Sequence, residues 1–207
     1  MTADNLMYWV LDMSKRGYEF DAELDAYGAL FDPADQKLWD SSARKEEDSL
    51  FERGVQQYND GDLSGALMTW SEVISLNPKN ADAYYSRAIV KNELHTWKSA
   101  LKDYDAALQI SPTFASALLN RGNVRDDNGD YAGAIADYDK AINLSDCDDV
   151  TKTRAYFNRG NTKLHLKDKS GACADWNIAL QRGEQDAQSL IDKHCKKAPV
   201  LKLLQRP

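Results

Sequence analysis

The sequence predicts an all-α protein, an α-solenoid built from four stacked helical hairpins. Three observations carry that prediction. A set of residues recurs at a spacing of 34 positions. The apolar residues within each recurrence are spaced for one face of a helix. Ala and Leu far outnumber Val and Ile, the reverse of what a sheet prefers. The chain has 207 residues, 43% of them apolar and only five of them proline, an ordinary globular composition. No run approaches the roughly 18 apolar residues of a membrane span. A formal charge of −7 argues against a nucleic-acid backbone as the main ligand. The N-terminus lacks the basic-then-apolar order of a secretory signal, because Asp4 precedes the short stretch Leu6 to Met13. Three scattered cysteines suggest a reducing compartment, so a cytoplasmic or similar setting is expected.

Residues 1–46 precede the repeats and read as a helical extension. One helix is expected from about Ala3 to Arg16, stopped by Gly17, and a second over about Asp21 to Phe31. Asp32-Pro33 then forms an N-cap followed by a first helical position, opening a third helix that runs toward the repeats. Met7, Tyr8, Trp9, Tyr18, Phe20, Tyr27 and Phe31 make this part too aromatic for disorder. It is expected to cap the first repeat, or to enter the groove of its own or a second chain and so form a homodimer.

The repeats follow. Phe51-Glu52-Arg53-Gly54, Tyr85-Ser86-Arg87-Ala88, Leu119-Asn120-Arg121-Gly122 and Phe157-Asn158-Arg159-Gly160 share one pattern: large, polar, Arg, small. The first three lie 34 apart and the fourth follows after 38. Twelve residues beyond each small residue stands an alanine (Ala66, Ala100, Ala134, Ala172), and four beyond that an aromatic (Trp70, Tyr104, Tyr138, Trp176). Small residues on two helices permit a close crossing, and the aromatic fills the space beside it. The extra four residues are expected in the polar stretch Ser145 to Val150, where a loop absorbs them at little cost. Breaks at Asn59-Asp60-Gly61-Asp62, His95-Thr96, Asn128-Gly129-Asp130 and Lys167-Asp168 divide each unit into two helices. A single hairpin cannot bury its own apolar stripe, so neighbours must stack.

This pattern resembles the tetratricopeptide repeat (TPR). Four units are expected over 47–80, 81–114, 115–152 and 153–186, although Leu50, Tyr84, Leu118 and Tyr156 stand where the family usually has a first-helix Trp. A capping helix and tail over 187–207 complete the chain, with Pro199 ending the cap. The run Gly171 to Trp176 with this helix resembles the terminal unit of bacterial TPR proteins. Cys173 and Cys195 are then expected to be small buried apolar residues.

Chemistry is not evident. His95, His165 and His194 fall in different units. His194 beside Cys195 admits a zinc or thiol enzyme as an alternative, but adjacent helical residues point in different directions and metal-ligand spacing is missing. Asp126-Asp127-Asn128-Gly129-Asp130 begins like a calcium loop, yet Tyr131 stands where that loop needs glycine. Asp103 and Asp137 are read as a solvated face. No enzyme activity, metal or cofactor is expected.

The resemblance implies a non-catalytic adaptor, scaffold or assembly factor whose first helices line a groove for a partner protein. Slot by slot the groove set is Phe51, Val55 and Tyr58, then Tyr85, Ile89 and Asn92, then Leu119 and Asn123, then Arg154, Phe157, Asn158, Asn161 and Leu164. The same transfer of lining slots also gives Asp48, Asp82, Ser116 and Asp126. One subset of the family clamps a chaperone's C-terminal carboxylate with Lys and Asn in its first unit; here those places hold Phe51 and Val55, so that clamp is missing. A peptide or helix with Leu or Phe anchors suits this floor better, with Arg154, Asn158 and Asn161 holding a polar or acidic end of it. The acidic balance favours a moderately basic partner.

Overall fold

The computed structural model describes residues 33–195, and their side chains from residue 43 onward. By internal contacts the chain divides into two units, Met1–Glu46 and Glu47–Pro207. The helices expected near 3–16 and 21–31, and the tail over 200–207, lie outside the described residues. Among the described residues there are nine helices and no strand. They pair as α1 (Pro33–Asn59) with α2 (Leu63–Leu76), α3 (Ala81–Glu93) with α4 (Trp97–Ile110), α5 (Ala115–Asp127) with α6 (Tyr131–Asn143), and α7 (Asp149–His165) with α8 (Lys169–Gln181). A single helix, α9 (Asp186–His194), packs on α8. Each second helix also touches the first helix of the next hairpin, so the hairpins form a solenoid. α1 is described from Pro33 onward, and the expected N-cap Asp32 lies outside the described residues.

The turn inside each hairpin uses one slot in the left-handed region: Gly61, His95, Gly129 and Lys167, with φ of 81°, 57°, 82° and 64°. Glycine takes that conformation freely, whereas the side chains of His95 and Lys167 crowd it. The next residue caps the second helix. Asp62, Asp130 and Asp168 each accept a hydrogen bond from the backbone N–H three residues on, at 2.9–3.0 Å. Thr96 instead donates its hydroxyl to the Lys91 carbonyl. Between the helices the small residues allow the expected close crossing. A Cβ placed on Gly122 would lie 2.6 Å from the Tyr138 ring, and Ala66, Ala100, Ala134 and Ala172 are fully buried.

The extra four residues are not in the loop. The link before α7 stays short, and α7 has 17 residues where α3 and α5 have 13. An added length close to one helical turn leaves the downstream residues on their original face. The insertion therefore lengthens α7 at its N-terminus by Asp149 to Lys152 and does not disturb Phe157 or Gly160.

Two further expectations are corrected. Asp103 and Asp137 are not solvated. Together with Asp175 they are 2–5% exposed, and each meets the Arg of its own hairpin through two bonds. A second cation, Lys91, Arg125 or Lys163, lies 2.7–2.8 Å from the same carboxylate. The third guanidinium nitrogen reaches back to the preceding hairpin: Arg87 to Ser71, Arg121 to Asp105 and Arg159 to Asp139. This polar spine joins successive hairpins. The corresponding slot in the last hairpin holds Asn177, which donates to the Cys173 carbonyl at 2.7 Å. In the first hairpin Thr69 takes the aspartate slot and donates to Gln57, a neutral pair in place of a charged one.

Cys173 and Cys195 are not separate buried thiols; they form a disulfide. Cys173 occupies the slot of Leu67, Leu101 and Ile135 in the earlier hairpins, so a covalent bond to the cap stands where those hairpins carry an aliphatic side chain. The scatter of the cysteines therefore no longer argues for a reducing compartment. Cys147 is the free cysteine among the described residues, and it is buried.

Candidate functional site

The first helices α1, α3, α5 and α7 lie side by side, and most of the expected groove residues share one row along them, Leu119 and Arg154 excepted. Side-chain bonds tie neighbours across the row. The Tyr58 hydroxyl donates to Glu93, Asn120 donates to the Tyr85 hydroxyl at 3.0 Å, and Asn158 donates to Asn123 at 2.7 Å. The bond to Glu93, with some burial, holds the Tyr58 phenol at a pKa of about 12. Burial pushes the phenols of Tyr104 and Tyr138 up as well.

One slot divides the row into two halves. It holds Val55 and Ile89 in the first two hairpins and Asn123 and Asn161 in the last two. Asn123 accepts from the Tyr138 hydroxyl at 2.8 Å, and Asn161 accepts from the Trp176 indole at 3.0 Å. Val55 offers no acceptor, and the indole N–H of Trp70 is buried without a hydrogen-bond partner. The amides of the second half thus have structural partners, while the first half is apolar and aromatic.

The individual placements follow from packing. Phe51 and Tyr58 flank Trp70 with ring centroids 6.4 and 6.2 Å away. Tyr85 stacks beside Phe114 at 4.7 Å and Tyr104 at 6.1 Å. Ile89, Asn92, Asn123, Asn158 and Asn161 are half-buried, and Phe157 and Leu164 are half-buried against the Trp176 cluster. Val55 is 38% exposed. Leu119 is 5% exposed and belongs to the core, so it offers a partner little surface. Arg154 is exposed in a shallow depression of about 280 Å³ formed with Asp149, Val150, Arg182 and Glu184, at the end of α7. The first three of those four come from the added turn and from the arginine that bonds to Asp149 at 3.0 Å.

The candidate chemical groups serve structure. The Cys195 sulfur is bonded to Cys173 and offers no thiolate. The His194 ring packs 5.8 Å from Trp176, and His165 Nδ1 lies 3.3 Å from the Tyr131 hydroxyl. Asp130 caps α6, and Asn128 donates to the Val124 carbonyl, so this turn is held by its own bonds. Among the described residues no three His, Cys, Asp or Glu side chains converge as metal ligands, and no helix is long and apolar enough to cross a membrane. The homodimer expected through residues 1–46 concerns side chains nearly all outside the described residues. The spine was the feature sequence reasoning missed. Its signal was present: an Arg followed 16 residues later by Asp at 87/103, 121/137 and 159/175.

Residues 115–146 match the tetratricopeptide repeat family, and the same hairpin geometry recurs on both sides of them. That segment is a tetratricopeptide repeat, and the stacked hairpins around it have the fold of such repeats. No curated protein sequence matches it significantly. Among solved structures, this chain is similar to MamA, with a TM-score of 0.62 at 20% identity over 76% of this chain and 98% of that one. It is similar to PilF of Pseudomonas aeruginosa, with a TM-score of 0.66 at 20% identity over 73% and 70% of the two chains. It is also similar to the first TPR domain of Spaghetti (RPAP3) bound to the HSP90 peptide SRMEEVD, with a TM-score of 0.55 at 19% identity over 59% and 94%. At these identities the likeness is one of fold.

Proposed function

We propose that this protein is a non-catalytic binding module that holds a peptide or helix of a partner protein along the row of α1, α3, α5 and α7. The observation that supports this most is the half-exposed apolar surface of Phe51, Val55, Tyr58, Tyr85 and Ile89 on the first two hairpins. A solvated face without a partner would carry less apolar surface. Leucine or aromatic anchors fit between such side chains, and the amides of Asn92 and Asn158 offer polar contacts to the partner's backbone. The chaperone-tail clamp has no place here, because Phe51 and Val55 fill its first positions. The disulfide supports an oxidising compartment over the cytoplasm as the setting.

The test is capture of partners from extract by immobilised wild type and by Val55→Asp. Val55 is partly exposed, so the substitution is expected to leave the melting temperature within a few degrees and to reduce specific capture at least tenfold. Undiminished capture by the folded variant would place the binding surface elsewhere.

A further inference from the structure

The spine has a consequence for the opposite face. On the first helices of hairpins two to four, the cations Arg87, Lys91, Arg121, Arg125, Arg159 and Lys163 are all paired with carboxylates of the second helices. Their charge is spent away from the row. Among the described residues Asp48, Asp82, Glu93 and Asp126 of the first helices make no ion pair, whereas Asp149 at the start of α7 pairs with Arg182. Asp48 and Asp82 each stand three residues before an anchor of the row, Phe51 and Tyr85, and so share its face. Asp126 stands three residues after Asn123 on the same basis, with one carboxylate oxygen shielded from solvent and accepting no hydrogen bond. Glu93 faces the row directly, through the Tyr58 hydroxyl. Burial is the main cause that raises the phenol pKa values of Tyr85 and Tyr138, and the nearby charges of Asp82 and Asp126 act in the same direction with smaller effect. The row's one arginine, Arg154, lies at the end of α7 beside a second arginine.

We infer that the occupant of this row is a cationic amphipathic segment, with Lys or Arg placed beside its aliphatic or aromatic anchors. This rests on the binding-module reading and adds the sign of the partner's charge. An apolar floor selects hydrophobic segments in general; the acidic border selects among them, by attracting cationic ones and repelling acidic ones. The attraction acts between groups that remain partly hydrated, so it weakens with salt.

The experiment is selection of peptides from a random display library on the purified full chain, followed by affinity measurement of the enriched synthetic peptides. The expected result is enrichment of Leu or Phe together with Lys or Arg. Affinity should fall at least fivefold between 50 and 500 mM salt. It should fall about threefold in each of Asp82→Asn and Glu93→Gln, with both variants melting like wild type. Enriched peptides that are neutral or acidic, yet are lost in Val55→Asp, would overturn the charge inference and leave the binding row standing. Cationic peptides that bind Val55→Asp as well as wild type would overturn the row itself as the site. Absence of any enriched peptide would do the same.

Discussion

The two faces of the first helices follow opposite rules. On the spine, charge is buried, paired at least twice and repeated from hairpin to hairpin. On the row, apolar and aromatic side chains stay half-exposed and the slot residues change from Val and Ile to Asn. Repetition suits a structural duty, since every interface between hairpins faces the same packing problem. Variation suits recognition, since a ligand is not periodic. The contrast teaches that a residue kept in every hairpin of one chain reports on stacking, and a residue that differs between hairpins is the better guide to binding.

The sharpest way to break this comparison is to remove a spine carboxylate. Asp137→Ala leaves Arg121 and Arg125 without their shared partner and is expected to cost about 3–5 kcal/mol in urea unfolding. Glu72→Ala breaks the ion pair that the first hairpin's Arg53 makes in a different slot, where Arg53 and Glu72 are both more than half exposed; it should cost less than about 1 kcal/mol. Equal losses would mean that burial does not distinguish the spine. Next in size is the disulfide. Opening it with a dithiol, or replacing both cysteines by alanine, releases a loop of 22 residues and is expected to cost about 3 kcal/mol. Hydrogen exchange should place the loss in α9 and α8, with α2 to α5 unchanged.

Most of the architecture was readable from the chain because stacking demands repetition. The hairpins, the small-residue crossings and the turn positions all follow from the 34-residue spacing. What was misread depended on tertiary context. Asp103 and Asp137 carry the helical spacing of a polar face, and only the neighbouring helix shows that the face is covered. The four extra residues look like loop filler in sequence, although Val150 to Lys152 continue a helix as readily as they fill a turn. Leu119 shares its slot with Phe51, Tyr85 and Phe157, yet neighbours seal it completely enough to remove it from the row. The Cys173–Cys195 bond needed the position of α9, which a period cannot supply.

Smaller effects sharpen the picture. The turn slot is a spine-independent feature, so His95→Gly and Lys167→Gly should each stabilise by about 0.5–1 kcal/mol through relief of the left-handed conformation, measured by urea midpoint with binding unchanged. The smallest effect belongs to the row. Tyr58 keeps its proton in the folded state up to a pKa of about 12, whereas in the unfolded chain it ionises near 10. Its contribution is therefore whole below about pH 10 and is lost as pH rises toward 12. Tyr58→Phe should flatten part of the alkaline decline in stability over that window, and an unchanged decline would show that the bond to Glu93 contributes nothing.

Asn177 has a bearing on how such arrays begin and end. Each earlier hairpin presents Ser71, Asp105 or Asp139 to receive an arginine from its successor, whereas this amide is already turned back onto Cys173. A further hairpin grafted after α8 would bring its guanidinium to a neutral amide oxygen, whereas one grafted before α7 would meet the Asp139 carboxylate. A lengthened array is therefore expected to be more stable when spliced in the middle, where the receiving group is a carboxylate.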